Sequence, residues 1–428
     1  IKEFVVSVLA VQRIGAAYVP VDREYPEDRR RFMIEDSGAK VVIDEETLRT
    51  ALSSDTAEEP SLNLSRPDGR AYMIYTSGTT GKPKGAILLH KGLRAFIAWN
   101  NSMLHQGPDT RHLVHASFSF DASIFDMLCP LAAGSQVHIL SETLRRDLDG
   151  IAAYIRDNSI TGMLVTTQVG MALLNGFDLP LEYMMLGGEK MLPVRKTGVR
   201  VINAYGPTEF TAAATTYEVQ GDEVDIPIGR PVPNSTGYVC DRFGNILPQG
   251  VAGELVMEGV QLGGGYWKRE EQTREKFAGG LYRTGDLVRY DENGNLLYLG
   301  RIDTQVKLRG FRIELGEIES RAASHPMVVQ AAAEVMTSGS VQTLVLYYTV
   351  SGQLSPEDLR TYVSETLTDY MVPDVFMQLD EMPMTPGGKI DRKALPVPER
   401  TVSVDWLDSV GKSAVTQGSS RKNPFSKR

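Results

Sequence analysis

Short apolar runs alternate with helix-like segments over most of the chain, from Val41 to about Leu299. Strands that alternate with helices are typical of α/β domains, in which helices cover a largely parallel sheet. Between Asn203 and Leu287 the strands shorten and turn residues become frequent, so we expect a β-barrel-like portion after the α/β layers. The sequence therefore predicts an α/β fold with a large N-terminal core of several subdomains. The clearest strand-like runs are 71–75, 86–89, 163–165 and 254–257.

The pattern changes after residues 301–303, where a smaller α+β unit begins. A helix is predicted from about Glu317 and a strand over 342–350. Ser355 and Pro356 then combine an N-cap serine with a proline at the first helical position. We therefore expect three parts: a core domain over 1–302, a small mobile C-terminal domain over 303–398, and a disordered linker or tail over 399–428.

The composition of the 428 residues argues against several classes of protein. Asp and Glu number 54 against 45 Lys and Arg, and the net charge of −9 disfavours general binding of nucleic acid or anionic membranes. Cys129 and Cys240 lack metal-ligand spacing, so neither a disulfide framework nor a zinc site is indicated. No apolar run reaches the roughly 18 to 20 residues that cross a bilayer. We expect a monomeric protein of the cytoplasm.

The sharpest local feature is the sequence YTSGTTGKPKG at positions 75–85, where a strand-like run enters a loop of hydroxyls, glycines and lysines. Glycines let backbone N–H groups approach an oxyanion, hydroxyls add donors, and ammonium groups balance phosphate charge. The glycine spacing and Pro83 differ from a Walker loop, which argues against P-loop kinases and GTPases. A nucleoside triphosphate fits; a flexible surface hairpin is the alternative for this loop alone. The candidate ligands are Thr76, Ser77, Gly78, Thr79, Thr80, Gly81, Lys82 and Lys84.

This loop is similar to the phosphate-loop signature of the adenylate-forming enzymes. That superfamily includes acyl-CoA synthetases, firefly luciferase and the amino-acid adenylation domains of nonribosomal peptide synthetases. The resemblance covers nearly all of residues 5–398 and indicates an amino-acid adenylation domain. Further stretches match in the family's order: GAAYVP at 15–20, FDAS at 120–123, NAYGPTE at 203–209, YRTGD at 282–286, GRID at 300–303 through Arg309-Gly310, and GKIDRK at 388–393.

The resemblance implies a site for ATP and Mg²⁺ around the NAYGPTE stretch. Tyr205 would stack on adenine, Thr208 would meet phosphate, and Glu209 would bind the Mg²⁺ that bridges ATP oxygens. Asp286 would accept both ribose hydroxyls, and Arg301 would reach ribose or phosphate. For single motifs the alternatives are a structural turn capped by Thr208 and a solvated turn aspartate at 286. The implied nucleotide contacts also include Gly188, Glu189, Asn203, Ala204, Gly206 and Tyr298.

Asp121 decides the predicted substrate class. By resemblance, the matching aspartate of peptide synthetases receives the α-ammonium of an amino acid, a group that fatty and aryl acids lack. A helix N-cap is the alternative role for Asp121. The side-chain pocket would be apolar with several small residues, which favours a large aliphatic or aromatic amino acid. Its predicted lining is Ala122, Phe125, Leu164, Met185, Gly187, Ala204, Ala212 and Ala213.

Lys389 and Asp303 are predicted to act through motion of the small domain. By resemblance, Lys389 would join Glu209 and Thr208 in catalysis and contact the substrate carboxylate and the α-phosphate. A second step would transfer the aminoacyl group to the phosphopantetheine thiol of a carrier protein. The small domain would first rotate about Asp303, so that the strand around Lys307 faces the thiol. The alternatives are an exposed surface lysine and a simple linker aspartate.

Some features depart from the family's pattern. The chain begins at Ile1 within a helical apolar pattern, so we expect an excised module without the family's opening segment. Gly388 stands where asparagine is more frequent, a change that keeps turn chemistry. No carrier site follows 395–398, so the carrier protein is expected in trans or from a neighbouring domain. Two other hypotheses are an acyl- or aryl-CoA synthetase and a non-catalytic ATP-binding scaffold, which pyrophosphate exchange would distinguish.

Overall fold

The structure is a computed structural model that describes residues 2–53, 64–78, 81–194, 197–338, 341–385 and 389–398. Thr79 and Thr80 of the predicted phosphate loop lie outside the described residues, as do Gly388 and the predicted tail 399–428. Within the described ranges, no helix combines the length and the apolar character that crossing a membrane requires.

The helices of the described chain are α1 (Lys2–Arg13), α2 (Glu27–Ser37), α3 (Glu45–Ser53), α4 (His90–Leu104), α5 (Ala122–Asp126), α6 (Leu128–Ala132), α7 (Leu148–Asp157), α8 (Thr167–Gly176), α9 (Glu270–Lys276), α10 (Leu315–Ala323) and α11 (Pro356–Ser364). The strands are β1 (Arg70–Thr76), β2 (Lys84–Leu89), β3 (Arg111–Val114), β4 (Gln136–Ile139), β5 (Gly162–Thr166), β6 (Tyr183–Gly187), β7 (Arg200–Tyr205), β8 (Thr215–Glu218), β9 (Arg230–Pro231), β10 (Ser235–Cys240), β11 (Gly253–Gly259), β12 (Tyr282–Tyr290), β13 (Leu296–Arg301), β14 (Gln305–Leu308), β15 (Phe311–Glu314), β16 (Val328–Ser338), β17 (Val341–Val350) and β18 (Val375–Gln378).

A seven-stranded sheet of order β4-β3-β5-β6-β7-β8-β9 forms the centre of the large lobe, which we define as residues 2–301. Strands β3 to β7 pair in parallel, and β8 and β9 join antiparallel. Strands β5 and β6 are buried almost throughout, because helices and loops cover both faces of the sheet. Alternate residues therefore enter two cores: Met163 and Val165 pack with α7 and α8, whereas Leu164 packs on the opposite face.

The predicted β-rich portion is an antiparallel sheet of order β10-β11-β12-β13 with its own apolar core. A bridge between Gly229 and Leu296 connects it to the end of the seven-stranded sheet. The edge strands of the two sheets therefore meet close to the carboxyl end of β7, where the NAYGPTE stretch begins.

The small lobe, which we define as residues 305–398, contains the hairpin β14-β15 and a sheet of order β16-β17-β18. Helix α11 begins as predicted, with the Ser355 hydroxyl accepting a hydrogen bond from the Asp358 N–H. Alternate residues of β17 divide the lobe into two faces. Leu346 packs with the hairpin, α10 and α11, whereas Val345 packs with the chain around Met382 and Leu395. The predicted fold class, a large α/β core with a small α+β lobe, is confirmed.

Candidate active site

The phosphate loop connects the antiparallel strands β1 and β2. Gly78 has no room for a side chain, since a Cβ there would lie 2.0 Å from the Lys82 carbonyl oxygen. Gly81 has a φ of 77°, a left-handed conformation that favours glycine. Lys82 is exposed, whereas Lys84 is buried with its ammonium 4.3 Å from the centroid of the Tyr266 ring. The loop therefore directs one of its two lysines into the interior of the large lobe.

Glu209 lies at the centre of a buried charged cluster. Its Oε1 accepts a hydrogen bond of 2.6 Å from the Tyr266 hydroxyl, and its Oε2 lies 2.7 Å from Nη1 of Arg312. Burial by itself raises the pKa of Glu209, but the charges of Arg312 and Lys84 outweigh it and lower that pKa to about 2. Burial lowers the pKa of Lys84, and the charge of Glu209 opposes this effect. Glu209 is therefore ionised at neutral pH and has cationic partners.

The segment after Glu209 has an unusual backbone. Thr211 and Ala212 have φ values of 52° and 68°, in a region that residues with side chains rarely adopt. The Thr211 hydroxyl donates a hydrogen bond of 2.6 Å to the Gln261 carbonyl oxygen. At Gly206 a Cβ would lie 2.3 Å from the Ala212 carbonyl oxygen, so the chain passes itself too closely for any other residue. Strain held in place by such contacts is common at functional sites.

Asp121 is the second acidic side chain of this region. It precedes α5, but among the described residues its carboxylate makes no capping hydrogen bond to that helix, so the N-cap alternative is not supported. Burial raises the pKa of Asp121 to about 6, although a hydrogen bond from Thr208 opposes this effect. The negative charge of Glu209 raises the pKa further, and the positive charge of Arg312 opposes it without forming an ion pair. Within the described part of the chain, Asp121 forms no ion pair of its own.

The predicted side-chain pocket residues lie together on the face of the seven-stranded sheet that carries Leu164. Gly187 pairs with Ala204 across β6 and β7, and a Cβ at Gly187 would lie 2.7 Å from the Ala204 carbonyl oxygen. The remaining predicted residues belong to or pack on one apolar cluster, which contains Ala122, Phe125, Leu164, Met185, Ala204, Ala212 and Ala213. The structure therefore brings these residues together beside Asp121.

Asp286 and Arg301 lie side by side because they are cross-strand partners in β12 and β13. Asp286 is buried; its Oδ2 accepts a hydrogen bond from the Tyr205 hydroxyl and its Oδ1 lies 2.8 Å from Nη1 of Arg301. The solvated-turn alternative for Asp286 is therefore not supported. Each carboxylate oxygen retains a second lone pair, so ribose hydroxyls can share them with these partners.

Other predicted nucleotide contacts border the same region. Asn203 is buried, and its side-chain amide donates a hydrogen bond of 2.8 Å to the Pro227 carbonyl oxygen. The ammonium of Lys307, from the small lobe, lies 4.8 Å from the centroid of the Tyr205 ring and 5.4 Å from that of Tyr298. The ring predicted to stack on adenine thus contacts a cation in this arrangement of the lobes.

The hairpin β14-β15 inserts into this region from the small lobe. Arg309 and Gly310 form its two-residue turn with φ values of 54° and 81°, the conformation that matches the twist of a hairpin. The Gly310 N–H donates a hydrogen bond of 2.6 Å to Oε1 of Glu189. A Cβ at Gly188 would lie 3.2 Å from the Gly310 Cα, so two glycines permit this close approach.

The small lobe also contacts the phosphate loop. The Ser77 hydroxyl donates a hydrogen bond of 3.1 Å to the Arg312 carbonyl oxygen, and the Gly78 N–H donates one of 3.1 Å to Oε2 of Glu317. Oε1 of Glu317 lies 2.8 Å from Nη1 of Arg29, and both side chains are buried. Backbone groups expected to meet phosphate thus contact the small lobe here.

An aromatic cluster extends this interface to the loop that carries Asp121. The rings of Phe311 and Tyr370 stack with centroids 4.2 Å apart, and Phe120 of the large lobe lies 5.3 Å from Phe311. Phe120 is the residue immediately before Asp121. The small lobe therefore contacts the segment that holds the predicted ammonium site.

Lys389 lies on the other face of the small lobe. Its backbone N–H donates a hydrogen bond of 3.2 Å to the Thr385 hydroxyl, its side chain is exposed, and the next residue, Ile390, packs in the cluster around Val345. Among the described residues, no contact joins Lys389 to Glu209 or Asp121. The role of this lysine stays a prediction.

Asp303 lies between the two lobes. Its carboxylate receives two hydrogen bonds of 2.6 Å from the Arg301 guanidinium, and it accepts one of 3.2 Å from the Gln305 N–H. The carboxylate therefore connects the last strand of the large lobe to the first strand of the small lobe, a position that suits the predicted hinge.

Four residues of this region were not predicted as site residues from the sequence: Tyr266, Arg312, Glu317 and Arg29. A signal for Arg312 was present, because a two-residue turn at Arg309-Gly310 places Arg312 directly opposite Lys307. The other contacts join residues far apart in the chain, as in the pair of Arg29 with Glu317, and local patterns do not predict them.

The donor set of the Glu209 region suits Mg²⁺ bound together with phosphate. Within the described residues, no group of three or more His, Cys, Asp or Glu side chains could hold a metal ion without other ligands. Mg²⁺ is usually bound by one or two carboxylates with substrate phosphates and water. One buried, ionised carboxylate beside a phosphate loop is the arrangement that this chemistry requires.

Comparison with known proteins shows the family of this chain. The family described as AMP-binding enzyme matches residues 1–267, and the family described as AMP-binding enzyme C-terminal domain matches residues 317–389. Tyrocidine synthase 2 of Brevibacillus parabrevis is 40% identical over 93% of this chain, which spans 12% of that protein. Bacitracin synthase 1 of Bacillus licheniformis is 36% identical over 94% of this chain, which spans 8% of that protein.

A solved structure supports the same relationship. The structure is that of an NRPS protein containing adenylation and PCP domains, bound to a vinylsulfonamide inhibitor. It is 25% identical in sequence to this chain and superposes with a TM-score of 0.77. The match covers 92% of this chain and 73% of that one. This chain therefore belongs to the AMP-binding family of adenylate-forming enzymes, which confirms the family predicted from its motifs.

Proposed function

We propose that this chain activates an amino acid with ATP and Mg²⁺ and transfers it to the phosphopantetheine thiol of a carrier protein, in nonribosomal peptide synthesis. The observation that carries the proposal is Asp121, an acidic side chain beside an apolar cluster, with its pKa raised to about 6 and no ion pair among the described residues. The α-ammonium of an amino acid supplies the cation that this carboxylate lacks.

In the first step, a carboxylate oxygen of the amino acid attacks the α-phosphorus of ATP. The bond from that phosphorus to the bridging oxygen breaks, pyrophosphate leaves, and an aminoacyl adenylate remains. The attacking group is already ionised, so the chain needs no general base. Its residues align the reactants: the phosphate loop binds the triphosphate, and Lys389 brings a positive charge to the carboxylate and the α-phosphate.

Glu209 is the residue proposed to hold Mg²⁺ with the triphosphate, and Thr208 is proposed to contact phosphate. When bound, the metal neutralises negative charge that develops on the phosphate oxygens. Asp286 and Arg301 are proposed to bind the ribose, and Tyr205 to stack on adenine. The burial of Glu209 and Asp286 and the hydrogen bond that Tyr205 donates to Asp286 support these roles.

The apolar cluster beside Asp121 supports a large aliphatic or aromatic side chain on the substrate. Ala122, Ala204, Ala212 and Ala213 are small residues in or against this cluster and leave volume for such a group. A charged side chain would lose its hydration there without gaining a partner.

In the second step, the thiol loses its proton to solvent, its sulfur attacks the acyl carbonyl carbon, the bond from that carbon to the phosphate oxygen breaks, and AMP leaves. We propose that the core (1–302) and lid (303–398) rotate about Asp303 between the steps. The observed arrangement supports this proposal, since the hairpin contacts Glu189 while Lys389 is exposed on the opposite face. It corresponds to the arrangement expected for the second step.

Amino-acid-dependent exchange of labelled pyrophosphate into ATP tests this function. We expect a strong preference for one large apolar amino acid, and a loss of about 100-fold or more in Lys389→Ala because an aligned charge is removed. Lys393→Ala is the matched control, since Lys393 is an exposed lysine of the same segment and is expected to retain the wild-type rate. Exchange that depends on fatty or aryl acids but on no amino acid would instead indicate an acyl- or aryl-CoA synthetase.

A further inference from the structure

The contact between Arg312 and Glu209 joins the small lobe to the residue proposed to hold Mg²⁺. The Nη1–Oε2 distance is 2.7 Å, and the Glu209 side chain is fully buried. Oε1 accepts the hydrogen bond from Tyr266, and Arg312 pairs with the other oxygen, Oε2. A guanidinium and a divalent cation at this one carboxylate would repel each other at short distance, so the two compete for it.

The position of Arg312 is fixed by several contacts on its own hairpin. Its Nε donates a hydrogen bond of 2.7 Å to Oε1 of Gln305, and its carbonyl oxygen accepts the bond from Ser77 of the phosphate loop. Two residues further on, the Glu314 N–H donates one of 3.2 Å to the Ser77 hydroxyl. The guanidinium therefore reaches Glu209 only when this hairpin lies against the phosphate loop.

We propose that Arg312 replaces Mg²⁺ as the cationic partner of Glu209 when the small lobe adopts this arrangement. Glu209 then has a cation in both stages of the reaction, and the arrangement seen here excludes Mg-ATP. Departure of the metal with pyrophosphate would leave the buried Glu209 carboxylate with Lys84 as its cationic neighbour, and Arg312 restores the lost positive charge as the hairpin arrives. Arg312 is thus a positioning residue that couples lobe rotation to the state of the metal site.

This inference rests on the proposed role of Glu209, but its test needs no turnover. The distance between labels at Val224→Cys and Val329→Cys, one in each lobe, reports the arrangement; these side chains are 91% and 61% exposed. Cys129 and Cys240 are buried, which protects them from labelling. The distance is measured by spin-label or fluorescence methods during titration with Mg-ATP, without any amino acid.

We expect Mg-ATP to shift the lobe distance in the wild type, and to do so at about ten-fold lower concentration in Arg312→Gln, since the competing arrangement is weakened. For Arg312→Lys, which retains the charge, the Mg-ATP concentration at the midpoint should lie between those of the wild type and Arg312→Gln. Arg309→Gln is the matched control, because Arg309 lies on the same hairpin but pairs with Asp374 within the small lobe at 2.7 Å. Its titration should match the wild type.

In a Glu209→Gln background, the effect of Arg312→Gln should disappear, because no carboxylate remains to be contested. Equal midpoints for Arg312→Gln and the wild type, or a wild-type distance that Mg-ATP does not change, would overturn the inference. Exchange activity is measured separately on the same proteins. If an amino acid supports pyrophosphate exchange but Arg312→Gln leaves the Mg-ATP midpoint unchanged, this inference alone is refuted. If no amino acid supports exchange, the proposed function is refuted.

Discussion

Glu209 and Asp121 are two carboxylates of one site in opposite electrostatic situations. Glu209 has Arg312 and Lys84 as cationic neighbours, and its pKa is lowered to about 2 in spite of burial. Asp121 has no ion pair among the described residues, and burial raises its pKa to about 6. The same side-chain chemistry is thus stabilised in one case and destabilised in the other.

The difference indicates what each carboxylate is for. A group whose cations are supplied by the chain is neutralised without a substrate, as Glu209 is in this arrangement by Arg312 and Lys84. A group without such a cation lowers the stability of the free protein and is neutralised only when a charged ligand arrives. On this argument Asp121 provides selectivity for an ammonium group, and Glu209 provides a permanent charge that metal and arginine share.

The largest effect is expected for Glu209→Gln. The change removes the proposed metal ligand and leaves Arg312 and Lys84 without their charge partner. We expect exchange activity to fall by about 1,000-fold, because metal ions contribute several kcal/mol to charge stabilisation. The free energy of unfolding should fall by about 2 to 3 kcal/mol, since breaking a buried pair leaves uncompensated charges. Pyrophosphate exchange and denaturant unfolding measure the two effects; an unchanged stability would contradict the cluster described for Glu209.

Asp121→Asn should reduce activity but change stability in the opposite direction. The kcat/KM for the amino acid should fall by about 100-fold, because a desolvated ammonium loses its counter-charge. The folded protein binds the Asp121 proton more tightly than the unfolded chain does, so the ionised form lowers stability at neutral pH. Removing the charge should therefore raise the free energy of unfolding by about 1 kcal/mol.

The matched substrate for this variant is the corresponding acid without its amino group. Wild-type protein should discriminate strongly against it, and Asp121→Asn should discriminate much less. If Asp121→Asn and Glu209→Gln lowered the free energy of unfolding equally, the proposed difference between the two carboxylates would be wrong.

The pH dependence of substrate binding should separate the two groups without any mutation. In the proposed role only ionised Asp121 binds the ammonium, and burial raises its pKa to about 6. Between about pH 7 and about pH 5 the ionised fraction falls roughly ten-fold, so the KM for the amino acid should rise by about that factor. Glu209, with a pKa of about 2, stays ionised over this range. The Asp121→Asn variant should have a flat profile, and an equally steep one would assign the titration to another group.

Much of this site could be predicted from the sequence because its motifs are local. The turn that ends at Glu209 depends on one short segment, whereas Leu164 and Met185 share a face because β5 and β6 pair with these two residues opposite each other, a register that the family resemblance anticipated. The phosphate loop is likewise a strand, a glycine turn and a second strand. In the turn and the phosphate loop, neighbouring residues determine both the backbone and the direction of the side chain.

The cationic partners of Glu209 could not be predicted in this way. Tyr266 and Arg312 are distant from Glu209 in the chain, and Arg312 depends on how two lobes are arranged. The exposure of Lys389 on the far face of the small lobe cannot be predicted from a motif either, because it depends on how the two lobes are arranged. Charge balance at the site is therefore a tertiary property, and only the residue types of its local motifs can be anticipated from the sequence.

The smallest effect is expected for Tyr266→Phe, which removes only the hydrogen bond of 2.6 Å to Oε1 of Glu209. The free energy of unfolding at neutral pH should fall by about 1 kcal/mol, because a buried carboxylate oxygen loses one donor but retains Arg312. The hydrogen bond helps lower the pKa of Glu209 from its ordinary 4.5 to about 2. Stability from a lowered carboxyl pKa is present above the ordinary value and is lost as the pH falls through the folded value.

The difference in stability between the wild type and Tyr266→Phe should therefore be largest above about pH 4.5 and shrink towards about pH 2, as denaturant unfolding across pH can measure. Tyr238→Phe is the matched control, because Tyr238 donates a similar hydrogen bond of 2.9 Å to Glu258 at the surface. There water replaces the lost donor, so the change should stay below about 0.5 kcal/mol at every pH. Suppose that Tyr238→Phe lowers the free energy of unfolding more than Tyr266→Phe does. The hydrogen bond from Tyr266 would then not help to hold Glu209 in its charged form, and Arg312 and Lys84 would be sufficient to neutralise it.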